Sequence, residues 1–159
     1  MTRHHWNRSE AALHPRPGDV VMAYTPDRRT PDEPGKFARP CVVVWSRTNK
    51  GNLELELAPG KPAAGRGDAR PTDLTLDKRR ERKAAGVDGA WRFDMADRVK
   101  IPWTRGYASL QSQGKPVGQL EADAFSRAQK AYGAAKRAES RRAEMRRDNA
   151  RRKQADAAR

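Results

Sequence analysis

The sequence predicts a mainly β protein: a small antiparallel barrel followed by a long C-terminal helix. Three observations carry that expectation. Short apolar runs rich in β-branched residues recur through the first two thirds of the chain. Proline and glycine punctuate the stretches between them, which keeps each run from growing into a helix. From Leu120 the pattern changes: apolar positions fall at Ala124, Phe125, Ala128, Ala131, Tyr132 and Ala135, the three-and-four spacing of one helical face. Several short strands joined by turn-rich connectors are the pattern of a small barrel.

The strands are expected at Val20–Tyr24, Cys41–Ser46 and Leu53–Leu57, with Pro26, Pro31, Pro34 and Gly35 separating the first two. The third alternates strictly, Leu53, Leu55 and Leu57 facing one way and Glu54 and Glu56 the other. Asn49-Lys50-Gly51-Asn52 supplies the turn before it, so the pair reads as a hairpin with one wet face. Ala58 to Pro71 reads as a Pro/Gly-rich loop carrying Lys61, Arg66 and Arg70. It is not a phosphate-binding P-loop, because Gly60-Lys61 is followed by Pro62 rather than Ser or Thr. A short strand at Leu74–Leu76 leads to a helical turn or two over Asp77–Ala85, with Asp77 as N-cap and Gly86 as the stop. Trp91–Met95 and Arg98–Ile101 complete five or six strands, and Pro102 limits the last. The expected division is a flexible leader over 1–16, a barrel over 17–117, a docked helix over 118–138 and a basic tail, helical or disordered, over 139–159.

Charge narrows the partners. The 159 residues carry a formal net charge of +14, with a pI near 10.7, which favours a polyanion such as nucleic acid, an acidic protein or an anionic membrane surface. From Ser126 to Arg159 there are 12 Lys or Arg against 4 Asp or Glu, so this segment holds +8 of the total. Arginine pairs at 141/142, 146/147 and 151/152 repeat every five residues. Each step turns the pair by about 140° around a helix, so the charges spiral and do not line one stripe.

Cys41, the lone cysteine, sits in a Val-rich strand and reads as an inert core thiol that needs no oxidising compartment. No apolar run is long enough to span a membrane, and the N-terminus lacks an apolar signal core. A soluble, cytoplasmic protein is expected. His4, His5 and His14 lie among arginines without metal-ligand spacing, so no metal or other cofactor is expected.

Gly18-Asp19 opening a strand, a polar loop, and then Arg39-Pro40 leading into an aliphatic strand resemble the PemK/MazF-type toxins. Ala84–Met95 and Val99–Trp103 are similar to that family's later strand pair, so the resemblance covers roughly Arg16 to Trp103. It implies an SH3-like barrel, a homodimer, single-stranded RNA as substrate, and a cognate antitoxin that occupies the RNA groove. It also implies an endoribonuclease that needs no metal, because the 2′-hydroxyl of RNA is itself the nucleophile. Such a site must take that proton, protonate the leaving 5′-oxygen and stabilise charge on the phosphoryl oxygens.

Arg92-Phe93-Asp94 matches the Arg-x-Asp of the Kid/PemK branch. In a strand, Arg92 and Asp94 share one face while Phe93 enters the core. By the resemblance, Asp94 is the general base, Arg92 the acid or phosphate clamp, and Arg39 the second clamp. Glu33, Lys36, Ser46, Thr48 and Lys61 are the expected substrate contacts. Two positions depart from the family. The Thr or Ser that closes the third strand is replaced by Ala58-Pro59-Gly60-Lys61, leaving Ser46 and Thr48 as substitutes. The first loop, Thr25 to Ala38, has no His; Glu33, Asp27 and Asp32 are its titratable replacements. Trp45, Trp91 and Trp103 read either as stacking platforms for unpaired bases or as core and interface residues. Two other functions stay open. One is a catalytically inactive nucleic-acid-binding barrel, and the other is a basic adaptor that works through its C-terminal helix.

Overall fold

In the computed structural model, which describes residues 14–65, 67–109, 111–112 and 114–158, the elements follow in order. They are β1 (Asp19–Ala23), β2 (Arg39–Asn49), β3 (Asn52–Pro62), β4 (Asp73–Leu76), α1 (Arg79–Ala85), β5 (Trp91–Asp94), a 3-10 turn (Met95–Asp97), β6 (Val99–Pro102), β7 (Gly118–Gln119) and α2 (Ala122–Ala157). The mainly β class with a long C-terminal helix is as expected. All strand pairs are antiparallel, in the order β4-β5-β3-β2-β1-β7, with β6 also on β3.

The β2–β3 hairpin closes through Lys50 (φ 51) and Gly51 (φ 80). Two successive positive φ angles make the mirror-image turn whose twist matches that of its strands. β3 runs past the expected end, through Ala58, Pro59, Gly60 and Lys61 to Pro62, so the first part of the expected loop is strand. Its second edge changes partner along its length: β6 covers Glu54–Leu57, and β5 covers Gly60–Pro62. Local composition there favours a loop, and pairing on both edges overrides it. β7, two residues long, is not visible as a pattern in the sequence; it pairs with β1.

Cores lie on both sides of the sheet. On one, Val20, Val42, Ala58, Leu74, Leu76 and Phe93 pack under Ala124, Ala128, Ala131 and Ala135 of α2. On the other, Val21, Cys41, Val43, Leu53, Leu55, Leu57, Ile101 and Trp103 form a second core. The alanine stripe of α2 lets the helix lie close to the strands. α1 ends at Gly86 (φ 69) as expected, whereas its N-cap is Lys78, one residue after the expected Asp77, and makes no side-chain cap.

α2 is one uninterrupted helix of 36 residues, so the basic tail, expected as helical or disordered, is helical. Arg127 ties it to Glu81 and the Thr75 carbonyl, and pairs with Asp123 one turn back on the same helix. Further along, Arg98 donates to Glu56 (2.6 Å) and to Glu139 (2.7 Å) and stacks over Tyr132 (4.9 Å). Burial works against the charge on Arg98, but Glu56 and Glu139 more than offset it and raise its pKa. Glu56 is 6% exposed, so the expected wet face of the hairpin is covered here by Arg98. The leader lies outside the described residues up to 13; from there the Arg16 N–H donates to Asp19 Oδ2 at 2.8 Å. Among the described residues, no helix is long and apolar enough to cross a membrane.

Candidate functional site

Strand register decides which of the expected site residues meet. In β3 and β5, Lys61 is paired with Arg92, and in β5 and β4, Arg92 is paired with Thr75. In β2 and β3, Cys41 is paired with Pro59, and continuing that ladder by two residues sets Arg39 across from Lys61. Directly opposed residues of a ladder project to the same face. Arg39, Lys61, Arg92 and Thr75 therefore stand in one row across four adjacent strands. At about 4.8 Å per strand, the backbones of Arg39 and Arg92 are roughly 10 Å apart.

The row turns away from the α2 side of the sheet, where Leu74, Leu76 and Phe93 sit. Gly60 makes this possible: a Cβ there would come within 2.7 Å of both Phe93 Cε1 and the Pro40 carbonyl oxygen. Without a side chain at 60, β2, β3 and β5 approach closely enough to line up the polar residues.

Three polar atoms of this row are buried without a hydrogen-bond partner: Arg39 Nε, Arg92 Nε and Thr75 Oγ1. Buried donors and hydroxyls are ordinarily satisfied, by protein or by ordered water, so these three are free to meet a partner from outside the chain. Arg92 Nη1 donates to the Gly67 carbonyl at 2.8 Å, which draws the β3–β4 loop toward the row. The side chain of Arg39 makes no hydrogen bond or ion pair with any described residue.

Asp94 shares the face of Arg92, but it is engaged. Its Oδ1 accepts from the Ala96 N–H (2.8 Å), capping the 3-10 turn, and its Oδ2 accepts from Arg70 Nη2 (2.6 Å). Asp73, its partner across the ladder, accepts from the Arg70 backbone (2.9 Å) and guanidinium (3.4 Å). Arg70 thus offsets the repulsion of two facing carboxylates. Its own pKa is raised, first by its hydrogen bond to Asp73 and then by Asp94.

The other expected contacts divide. Lys61 is in the row. Lys36 lies three residues before Arg39 on the exposed β1–β2 loop, and Glu33 is on the same loop, whose backbone is held by Glu33 N to Thr30 O and Tyr107 Oη to Asp32 O. Ser46 and Thr48 require a correction. They pair with Leu55 and Leu53 toward the far end of β2, about 20–30 Å along the strand from Arg39, and cannot supply the missing hydroxyl at the row. Among the tryptophans, Trp103 is core at 2% exposure. Trp91 is half-buried with its indole N–H on the Asp88 carbonyl, and Trp45 lies under Arg47 and Lys100.

Two residues escaped the sequence reading. Thr75 looked like an ordinary position in a short Leu-Thr-Leu strand, and only its pairing with Arg92 sets it apart. Phe37, 75% exposed and two residues before Arg39, could have been found as an aromatic in a polar loop.

Cys41 is fully buried, and burial pushes its thiol up to about 12 despite the nearby Arg39 and a Gly60 backbone hydrogen bond. It is a core residue, as expected. Among the described residues, no group of three or more His, Cys, Asp or Glu is arranged to hold a metal.

No protein-family model and no curated protein matches the chain. Among solved structures, 32 chains match. One of them, described as an endoribonuclease in complex with its cognate antitoxin from Mycobacterial species, superposes with a TM-score of 0.49 at 12% identity. The superposition covers 76% of this chain and 93% of that one. A likeness that distant carries no function across; what this chain can do has to come from its own residues.

Proposed function

We propose that the polar row is an RNA-cleaving site and that the chain is an endoribonuclease toxin of the PemK/MazF type, cutting single-stranded RNA without a metal. The observation that supports this most is the alignment of Arg39, Lys61 and Arg92 with three unpartnered polar atoms on one sheet face. A phosphodiester is the acceptor such a row suits, because a guanidinium fork donates two parallel hydrogen bonds to phosphate. In the reaction, the 2′-oxygen bonds to phosphorus as the bond from phosphorus to the 5′-oxygen breaks. The products are a cyclic phosphate and a 5′-hydroxyl.

In this scheme, Arg39 and Arg92 clamp the non-bridging oxygens and Lys61 adds charge between them. Arg92 exchanges the Gly67 carbonyl for the more strongly accepting phosphate. Asp94 takes the 2′-hydroxyl proton once one of its two present hydrogen bonds gives way, and the leaving 5′-oxygen takes its proton from Arg92, acting as the acid, or from solvent water. Thr75 offers the hydroxyl that the third strand lacks. Lys36 and Glu33 meet the RNA from the β1–β2 loop. The working form is a homodimer, and a cognate antitoxin with an acidic segment covers the row, complementing the net charge of +14.

The test is incubation of purified protein with a long RNA in EDTA, alongside Arg39→Ala and Asp94→Ala. Cuts that leave cyclic-phosphate ends and vanish in both variants are expected. A second reading has one observation in its favour: both Asp94 oxygens are already occupied, which suits a barrel that binds nucleic acid and does not cut it. RNA that stays intact but is retained by the protein decides for that second reading.

A further inference from the structure

The second half of α2 leaves the body of the molecule. Its last tie is the 2.7 Å hydrogen bond from Arg98 to Glu139, and the helix continues unbroken to Ala157. The 18 residues beyond Glu139 extend about 27 Å at 1.5 Å per residue. They carry seven basic residues (Arg141, Arg142, Arg146, Arg147, Arg151, Arg152 and Lys153) against Glu144, Asp148 and Asp156, a net +4. None of the seven makes a hydrogen bond or ion pair with any described residue, although acids lie within helical reach.

No apolar stripe accompanies these charges. Met145, 65% exposed, is the one large apolar side chain in the segment, and Ala143 is the one residue that is even partly covered. A helix without an apolar face has nothing to bury in a coiled coil, a protein groove or a bilayer interface. What remains is charge, and it is distributed all around the cylinder. Successive arginine pairs climb about 7.5 Å and turn by about 140°, so a flat partner could meet only one pair at a time. A flexible polyanion can follow the spiral.

We infer that the projecting half of α2 binds the phosphate backbone of single-stranded RNA, separately from the row on the sheet. The RNA identity of the strand rests on the proposed function, but the binding itself does not need cleavage. The experiment measures binding of a labelled single-stranded RNA oligonucleotide by the full chain across a KCl titration. It compares the parent with Arg146→Gln, Arg147→Gln, Arg151→Gln and Arg152→Gln combined. Glutamine keeps helix propensity, and circular dichroism checks the fold.

The expected result is a drop of about 3 in the slope of log K against log salt, about 0.7 for each single-strand phosphate that the protein no longer neutralises. A chain ending after Ser140 is expected to lose at least as much. Both comparisons are repeated with Arg39→Ala and Arg92→Ala present. The same drop there upholds RNA binding by the helix even if the row proves not to be a nuclease. An unchanged slope overturns it. A shift in oligomeric state with no change in slope also overturns it, because the helix would then join copies of the chain.

Discussion

β1 and β2 bury both of their faces, whereas β4 and β5 bury only one. Val20 and Val21 are both fully buried, as are Val42 and Val43, so that end of the sheet is filled from either side. In β4 and β5, Leu74, Leu76 and Phe93 fill the α2 side, while Thr75, Arg92 and Asp94 face the other way and remain partly exposed. The candidate chemistry stands where packing claims one face and leaves the second free. Arg39 belongs to it because β2 reaches this end of the sheet with its first residue.

Adjacent residues of β5 offer the sharpest way to break that contrast. Phe93→Ala removes a fully buried ring and should cost about 3–5 kcal/mol of stability, read from chemical or thermal unfolding. Arg92→Ala, one residue away on the other face, should leave the unfolding midpoint nearly unchanged. Under the proposed function it lowers RNA cleavage by about 10²–10³-fold, the typical loss for one preorganised charge-stabilising donor. If Arg92→Ala unfolds the protein as Phe93→Ala does, the face is not spare.

Cys41 tests the doubly buried end. Its folded thiol titrates near 12, against 9.0 for a free one, so below pH 9 both states are neutral and its contribution is fully present. Between pH 9 and 12 only the unfolded chain ionises, so stability should fall by about 1.4 kcal/mol per pH unit. Cys41→Ala should flatten that part of the stability–pH curve, and thiol reagents at neutral pH should not label the native protein. Fast labelling would mean that this end of the sheet opens.

The smallest effect on cleavage is expected at Thr75. Its hydroxyl is buried without a partner, so Thr75→Val removes an unsatisfied group and should be neutral or stabilise by up to about 1 kcal/mol. Cleavage should nonetheless fall about tenfold or more, since a hydrogen bond to a charged group is removed. A variant that is destabilised and fully active would place Thr75 in the scaffold alone.

Much of the fold is legible in the sequence because it is written locally. Strict Leu/Glu alternation marked β3, the Lys50-Gly51 pair marked its turn, Gly86 marked the end of α1, and the three-and-four spacing marked α2. What escaped was set by partners distant in sequence. Ala58–Pro62 became strand because β2 and β5 flank it, and Gly118–Gln119 became strand because β1 does. The same holds for the site. Arg-x-Asp on one strand face is a period-two inference, and Arg39 was identified by resemblance. The exclusion of Ser46 and Thr48 follows from strand direction, and the inclusion of Thr75 follows from register.

Residue order by itself determined the class of structure, its basic character, the inert setting of Cys41 and the helical face of α2, because each depends on residues within a few positions of one another. Only the tertiary structure decided that Arg39, Lys61, Arg92 and Thr75 form a row and that Asp94 is held by Arg70. It also decided that the basic tail, open between helix and disorder in the sequence, continues α2 as helix to Ala157. Those outcomes depend on which strands pair and in what register. Pairing is settled by the burial of whole faces, which no short stretch of sequence contains.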